Sequence, residues 1–140
     1  DISKNNKDAY VLGFDTLVIL DGKPLGKPKD TDEAFEMLSA LRGRTHRVLT
    51  GCAIVINDYK DTFYEFADVT FTDISDEEIH NYIETKEPMD KAGSYGIQKH
   101  GAKFVTKVNG DFYTVMGMPI HKLYERLKVI ERLIESLFLY

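Results

Sequence analysis

Val11-Leu12-Gly13-Phe14-Asp15-Thr16-Leu17-Val18-Ile19-Leu20 is a run of large and β-branched apolar residues, closed by the turn signal Asp21-Gly22-Lys23-Pro24. Such a run reads as a strand, and its unbroken apolar character predicts burial on both faces, as in the centre of an α/β sheet. Asp15 interrupts it. An ionised carboxylate there is costly unless it is paired, hydrogen-bonded or bound to a metal. Acids held under that constraint concentrate at functional sites. Asp15 therefore reads either as a catalytic or metal-binding acid or as a strand-end carboxylate that caps nearby backbone.

Downstream, residues 22–30 form a Gly/Pro/Lys-rich loop, and Asp30 stands three residues before Glu33, the spacing of a capping box. Ala34, Met37, Leu38 and Leu41 follow at helical period, with Gly43 as the stop. Residues 46–57 predict a second strand, and residues 61–72 a third, half-exposed and antiparallel. Ser75-Asp76-Glu77-Glu78 opens a second helix with Ile79, Tyr82 and Ile83 on one face. Residues 87–101 form a loop. Residues 104–108 and 112–115 flank Asn109-Gly110, which predicts a hairpin. A last helix starts near Pro119, with Ile120, Leu123, Leu127, Ile130, Ile134 and Leu137 spaced 3-4-3-4-3. That seam suits a helix packed within the chain or one shared with a second subunit of a homodimer. The pattern predicts an α/β fold, a mixed central β-sheet flanked by helices, in one domain over residues 1–140.

Composition narrows the function classes. The 140 residues carry a net charge of −5, which disfavours a broad grip on nucleic acid but leaves room for a small anion held by local lysines. The lone cysteine, Cys52, precludes an internal disulfide and reads as a small buried filler. No signal-peptide pattern or bilayer-length apolar stretch is present, so a cytoplasmic location is expected. The chain opens Asp1-Ile2-Ser3-Lys4-Asn5-Asn6-Lys7-Asp8 without methionine and runs straight into the strand. A strand buried on both faces needs partners, so part of the sheet is expected upstream.

Three places could carry chemistry. Asp15-Thr16 is the first. Gly26-Lys27-Pro28 is the second: a lysine on a short loop after a strand, where ligands of α/β sheets sit, can grip phosphate as a point charge. A solvated loop lysine is the plainer reading, since Lys23 and Lys29 stand beside it. The third is Asp90-Lys91-Ala92-Gly93-Ser94-Tyr95-Gly96-Ile97-Gln98, whose glycines permit close backbone approach to a ligand. Gln98 there offers both donors and an acceptor, as reading a nucleobase edge requires. His46, His80, His100 and His121 show no metal-ligand spacing and read as ordinary surface or core residues. A haloacid-dehalogenase-type phosphatase is excluded, because its second Asp would stand where Leu17 does.

Gly13-Phe14-Asp15-Thr16-Leu17-Val18, Leu25-Gly26-Lys27-Pro28-Lys29-Asp30 and Leu41-Arg42-Gly43-Arg44-Thr45-His46 with Thr50-Gly51 are three blocks of one pattern. Glu87-Pro88-Met89-Asp90 running on to Gln98, and Gly110-Asp111-Phe112-Tyr113-Thr114-Val115-Met116-Gly117-Met118-Pro119, complete it. Together they resemble the Maf family, also called septum-formation proteins, over residues 10–127. The resemblance implies a Maf or inosine-triphosphatase-like fold and a nucleoside-triphosphate pyrophosphatase. It also implies a divalent cation (Mg²⁺ or Mn²⁺). Asp15 matches the family's catalytic acid, which accepts a proton from the attacking water or holds the metal. Lys27 and Lys91 match lysines that neutralise phosphate charge, the former in a catalytic role. Thr16 and Gln98 resemble the branch acting on dTTP and UTP rather than on 7-methyl-GTP, and both are expected to contact substrate.

Two departures from the family stand out. Its members open with a strand and a Ser-x-x-Arg-Arg-type loop that grips the triphosphate, followed by a helix, so the chain is expected to be incomplete at the amino terminus. Lys99 also stands where the family has Gly, which would strain the chain if that position needs a positive φ. The alternative to an active enzyme is a catalytically silent module that binds nucleotide or only dimerises.

Overall fold

Asp21 and Gly22, with φ of 52° and 76°, turn the chain back after β1 (Val11–Leu20) into the short β2 (Lys23–Leu25). A computed structural model describes residues 8–138. The reading of residues 1–7 lies outside them. Helix α1 (Thr31–Leu41) is capped at Asp30, whose carboxylate accepts from the Glu33 N–H at 2.8 Å. It returns the chain to the end of the sheet where β1 finished. Strand β3 (Thr45–Ile56) therefore starts beside Ile19 and runs back along β1, with Arg47 opposite Ile19 and Val55 opposite Val11. Strands β4 (Tyr59–Phe71) and β5 (Val105–Gly110) complete the order β2-β1-β3-β4-β5. The class is α/β with a central sheet flanked by helices. Its four pairings among the described residues are all antiparallel rather than mixed, because α1 joins β2, not β1, to β3.

Helix α2 (Asp76–Glu84) has the complete Ser75/Glu78 capping box. Three short 3-10 turns (Glu87–Asp90, Ala92–Ser94 and His100–Phe104) carry the chain to β5. Asn109-Gly110 does not make a hairpin. Asn109 pairs with Asp68 inside the sheet, and the Gly110 backbone lies so close to Ala67 that a Cβ there would meet it at 2.9 Å. Asp111 then caps a short helix α3 (Phe112–Met116) by accepting from the Thr114 N–H at 2.9 Å. The cap outcompetes the turn, and the chain leaves the sheet.

Along β3, His46, Val48, Thr50, Cys52, Ile54 and Ile56 are buried while their neighbours are not, so one sheet face is covered. Two cores share that face. Val18, Leu20, Val48, Val69 and Phe71 pack under α1, α2 and the 3-10 segments. Cys52, Ile54, Ile56 and Phe63 pack under Leu123 and Ile130 of helix α4 (Ile120–Phe138). The ends of the α4 seam, Ile120 and Leu137, are exposed. The other sheet face carries a register row, Leu17, Leu49 and Phe66, with Leu17 39% and Phe66 40% exposed. β1 is thus not buried on both faces, and Asp15 is exposed rather than enclosed. Its apolar run has a second layer on one side only among the described residues. Lys99 has φ −113°, so no left-handed backbone strains it.

Candidate functional site

β2 pairs only with Val18, Ile19 and Leu20, which leaves Asp15 and Thr16 on a stretch of β1 bonded on one side to β3. Beside that stretch opens a cleft of about 320 Å³. Asp15, Thr16, Lys27, Lys91 and Gln98 all line it, so one site gathers the five residues singled out from the sequence. The cleft lies at the join of the two cores. Phe14 packs on the α4 side, and Val18 and Val48 belong to the other.

The loops that bring the lysines are tied together. Gly93 N–H donates to the Gly26 carbonyl at 3.1 Å, linking the segment after β2 to the segment after α2. Gly93 has φ 70°, and a Cβ at that position would stand 2.8 Å from Val18. Only glycine combines that conformation with that approach, so the glycine permits the lysine loop to seat on the sheet. Lys91 Nζ donates to Asp90 at 3.1 Å. This bond, with the charge of Lys91, holds the Asp90 carboxyl below its usual range. Lys27 and Gln98 are exposed at the mouth.

Behind the cleft wall, Tyr95 reaches a buried histidine. The Tyr95 hydroxyl and His46 Nε2 share a 2.6 Å hydrogen bond, with both residues buried. Burial lowers the His46 pKa to about 4, against the opposing pull of the Asp68 carboxylate, so the imidazole is neutral near pH 7. Burial likewise raises the Tyr95 phenol above its ordinary value. Gly96 N–H donates to the Tyr82 hydroxyl at 3.0 Å and anchors the far end of the segment. Thr16 Oγ1 lies 3.0 Å from Thr50 Oγ1, which donates to the Thr114 carbonyl at 2.8 Å.

The sequence reading quoted Tyr95 and Thr50 within longer segments but gave neither a role. Tyr95 sits within the Gly-rich segment already noted, but its partner His46 lies on another strand. Thr50 bonds a carbonyl in α3, a pairing that no local pattern announces. His46 is a core residue, within the reading given to it, and Cys52 is buried as a filler.

The chain matches the Maf-like protein family over residues 1–130. It is 55% identical over 122 residues to the dTTP/UTP pyrophosphatase of Bacillus pumilus, a match covering 87% of this chain and 65% of that protein. Against the dTTP/UTP pyrophosphatase of Bacillus velezensis the identity is 53% over 123 residues, covering 88% and 65%. Against that of Bacillus cereus it is 50% over 127 residues, covering 91% and 66%. The chain thus spans 65–66% of the length of these curated relatives. It belongs to the Maf-like family.

Proposed function

We propose that this Maf-like protein hydrolyses dTTP and UTP to the nucleoside monophosphate and pyrophosphate. The observation that carries the proposal is the convergence of Asp15, Thr16, Lys27, Lys91 and Gln98 on one cleft. The names of its relatives supply the substrate class. Asp15 is exposed, and an exposed carboxylate can both reach a water molecule and take its proton. Attack of that water on the α-phosphorus forms the new P–O bond and breaks the bond to the α–β bridging oxygen, which leaves with pyrophosphate. Lys27 and Lys91, at the cleft, offset the charge that develops on the phosphate oxygens. Thr16 and Gln98 contact the base.

Among the described residues no group of three His, Cys, Asp or Glu side chains stands ready to hold a metal. Asp15 and Asp90 are the two carboxylates lining the cleft. That donor set fits Mg²⁺ or Mn²⁺ held by one or two carboxylates together with substrate phosphates, not an all-protein cage. A bound divalent ion would neutralise phosphate charge there, and Asp15 is the residue proposed to hold it. No helix among the described residues is long and apolar enough to cross a membrane. The proposed location is the cytoplasm, where free nucleoside triphosphates are drawn on for synthesis.

Product analysis with Mg²⁺ or Mn²⁺ tests the reading, offering dTTP, UTP, dATP and 7-methyl-GTP. The expected result is monophosphate plus pyrophosphate from dTTP and UTP, reduced about 100-fold or more in Asp15→Asn. Nucleotide binding with no turnover of any substrate would instead establish a silent binding module.

A further inference from the structure

The hydroxyl of Thr50 is fully buried and has one proton to give. Its partner in α3, the Thr114 carbonyl at 2.8 Å, can only accept, so the Thr50 proton is committed to it. The 3.0 Å contact between Thr50 Oγ1 and Thr16 Oγ1 must then run the other way, with Thr16 donating. The far end of this chain is rigid. Asp111 Oδ2 accepts from both the Thr114 N–H and the Thr114 hydroxyl, at 2.9 and 2.7 Å, and the Thr114 carbonyl also accepts from the Gly117 N–H at 3.0 Å. Were Thr50 to turn its proton toward Thr16, its oxygen and the Thr114 carbonyl oxygen would face each other at 2.8 Å with no proton between them.

The consequence reaches the cleft, where Thr16 is part of the lining and Thr50 is not. A threonine hydroxyl on a protein surface serves as donor or acceptor as the ligand requires. Thr16 has lost that freedom: with its proton given to Thr50, its oxygen keeps only lone pairs for any further partner. We propose that Thr50 is a positioning residue for base selection. By taking the Thr16 proton it makes Thr16 an obligate acceptor, matched to the N3–H of uracil or thymine and mismatched to the N3 lone pair of cytosine. The proposal rests on the nucleotide reading of this cleft and adds to it the atom that separates one pyrimidine from the other.

Titration calorimetry with the α,β-methylene analogues of UTP and CTP tests this without turnover. The wild-type chain is expected to prefer the UTP analogue by about tenfold, the effect of one hydrogen bond matched against one opposed. In Thr50→Val the Thr16 proton is released to rotate, the CTP analogue gains affinity, and the preference falls toward unity. Thr50→Ser keeps the acceptor and is expected to keep the preference. A structural role alone would weaken both analogues in parallel and leave their ratio unmoved.

An unchanged ratio in a folded Thr50→Val, or a lost preference in Thr50→Ser, overturns the role of Thr50 while leaving the nucleotide reading intact. Should Thr50→Val fail to fold, Thr50→Ala, which also removes the hydroxyl, takes its place: a ratio that falls toward unity supports the proposal, and an unchanged ratio overturns it. Binding of neither analogue by the wild type overturns the nucleotide reading and this inference with it.

Discussion

The core under α1 and α2 and the core under α4 lie on the same sheet face, yet they are built differently. The first encloses hydrogen-bonded polar groups, among them the His46–Tyr95 pair and the Tyr82 hydroxyl that receives Gly96 N–H. The buried members of the second are aliphatic or aromatic apart from the thiol of Cys52, whose pKa burial raises. Apolar packing is non-directional and fixes proximity, whereas hydrogen bonds fix orientation. The cleft takes its lysine-bearing segment from the first core, and the α4 core serves as a support that carries no directional contact into the site.

If that division holds, damage to the two cores separates. Ile130, 1% exposed in the α4 core, is expected to cost about 2–5 kcal/mol of stability as Ile130→Ala, read from the denaturation midpoint. The affinity ratio between UTP and CTP analogues should not move. A shift in that ratio would show that the α4 core also orients the site.

The polar core alone should respond to pH between the ordinary histidine pKa of 6.5 and about 4. Because burial depresses the His46 pKa in the folded state, the unfolded chain binds the extra proton in this window. Stability is therefore full above pH 6.5 and is lost as pH falls toward 4, on the order of 3 kcal/mol in all. His46→Gln should remove about 1.4 kcal/mol per pH unit from the slope of stability against pH, while Ile130→Ala should leave that slope unchanged. Equal slopes in wild type and His46→Gln would show that the imidazole is not held neutral.

The smallest of the three effects on stability is expected at Gly93. A Cβ on its left-handed backbone meets Val18, so Gly93→Ala should cost about 1–3 kcal/mol and displace the lysine segment. Its distinguishing mark is functional. The thermal shift produced by UTP should shrink by more than the loss of stability alone explains, a disproportion that Ile130→Ala lacks.

The sequence made the strand and helix positions readable because local physics sets them. β-branched runs, the Asp30 and Ser75 caps and the stop at Gly43 all act within a turn or two of the chain. Asn109-Gly110 shows where local reasoning stops. The dipeptide that favours a tight turn is here drawn into pairing with β4, and the Asp111 cap takes the following residues into a helix. The burial of β1 was misread for a related reason: an apolar run reports what a strand could bury, not how many layers cover it. Asp15 was nevertheless identified, since an acid in an apolar strand stands out whichever way it faces. The role of Thr50 could not be found this way. It depends on a proton committed to a carbonyl in α3, and nothing in the local residue pattern records that direction.

The hydrogen bond between Gly93 and Gly26 has one more consequence. It ties the two lysine-bearing segments together before any ligand arrives, so the spacing of their backbones is settled during folding. Any ligand that reaches both segments would then spend little of its binding free energy on restraining loops. What remains for the ligand to organise is the two lysine side chains, not the loops that carry them.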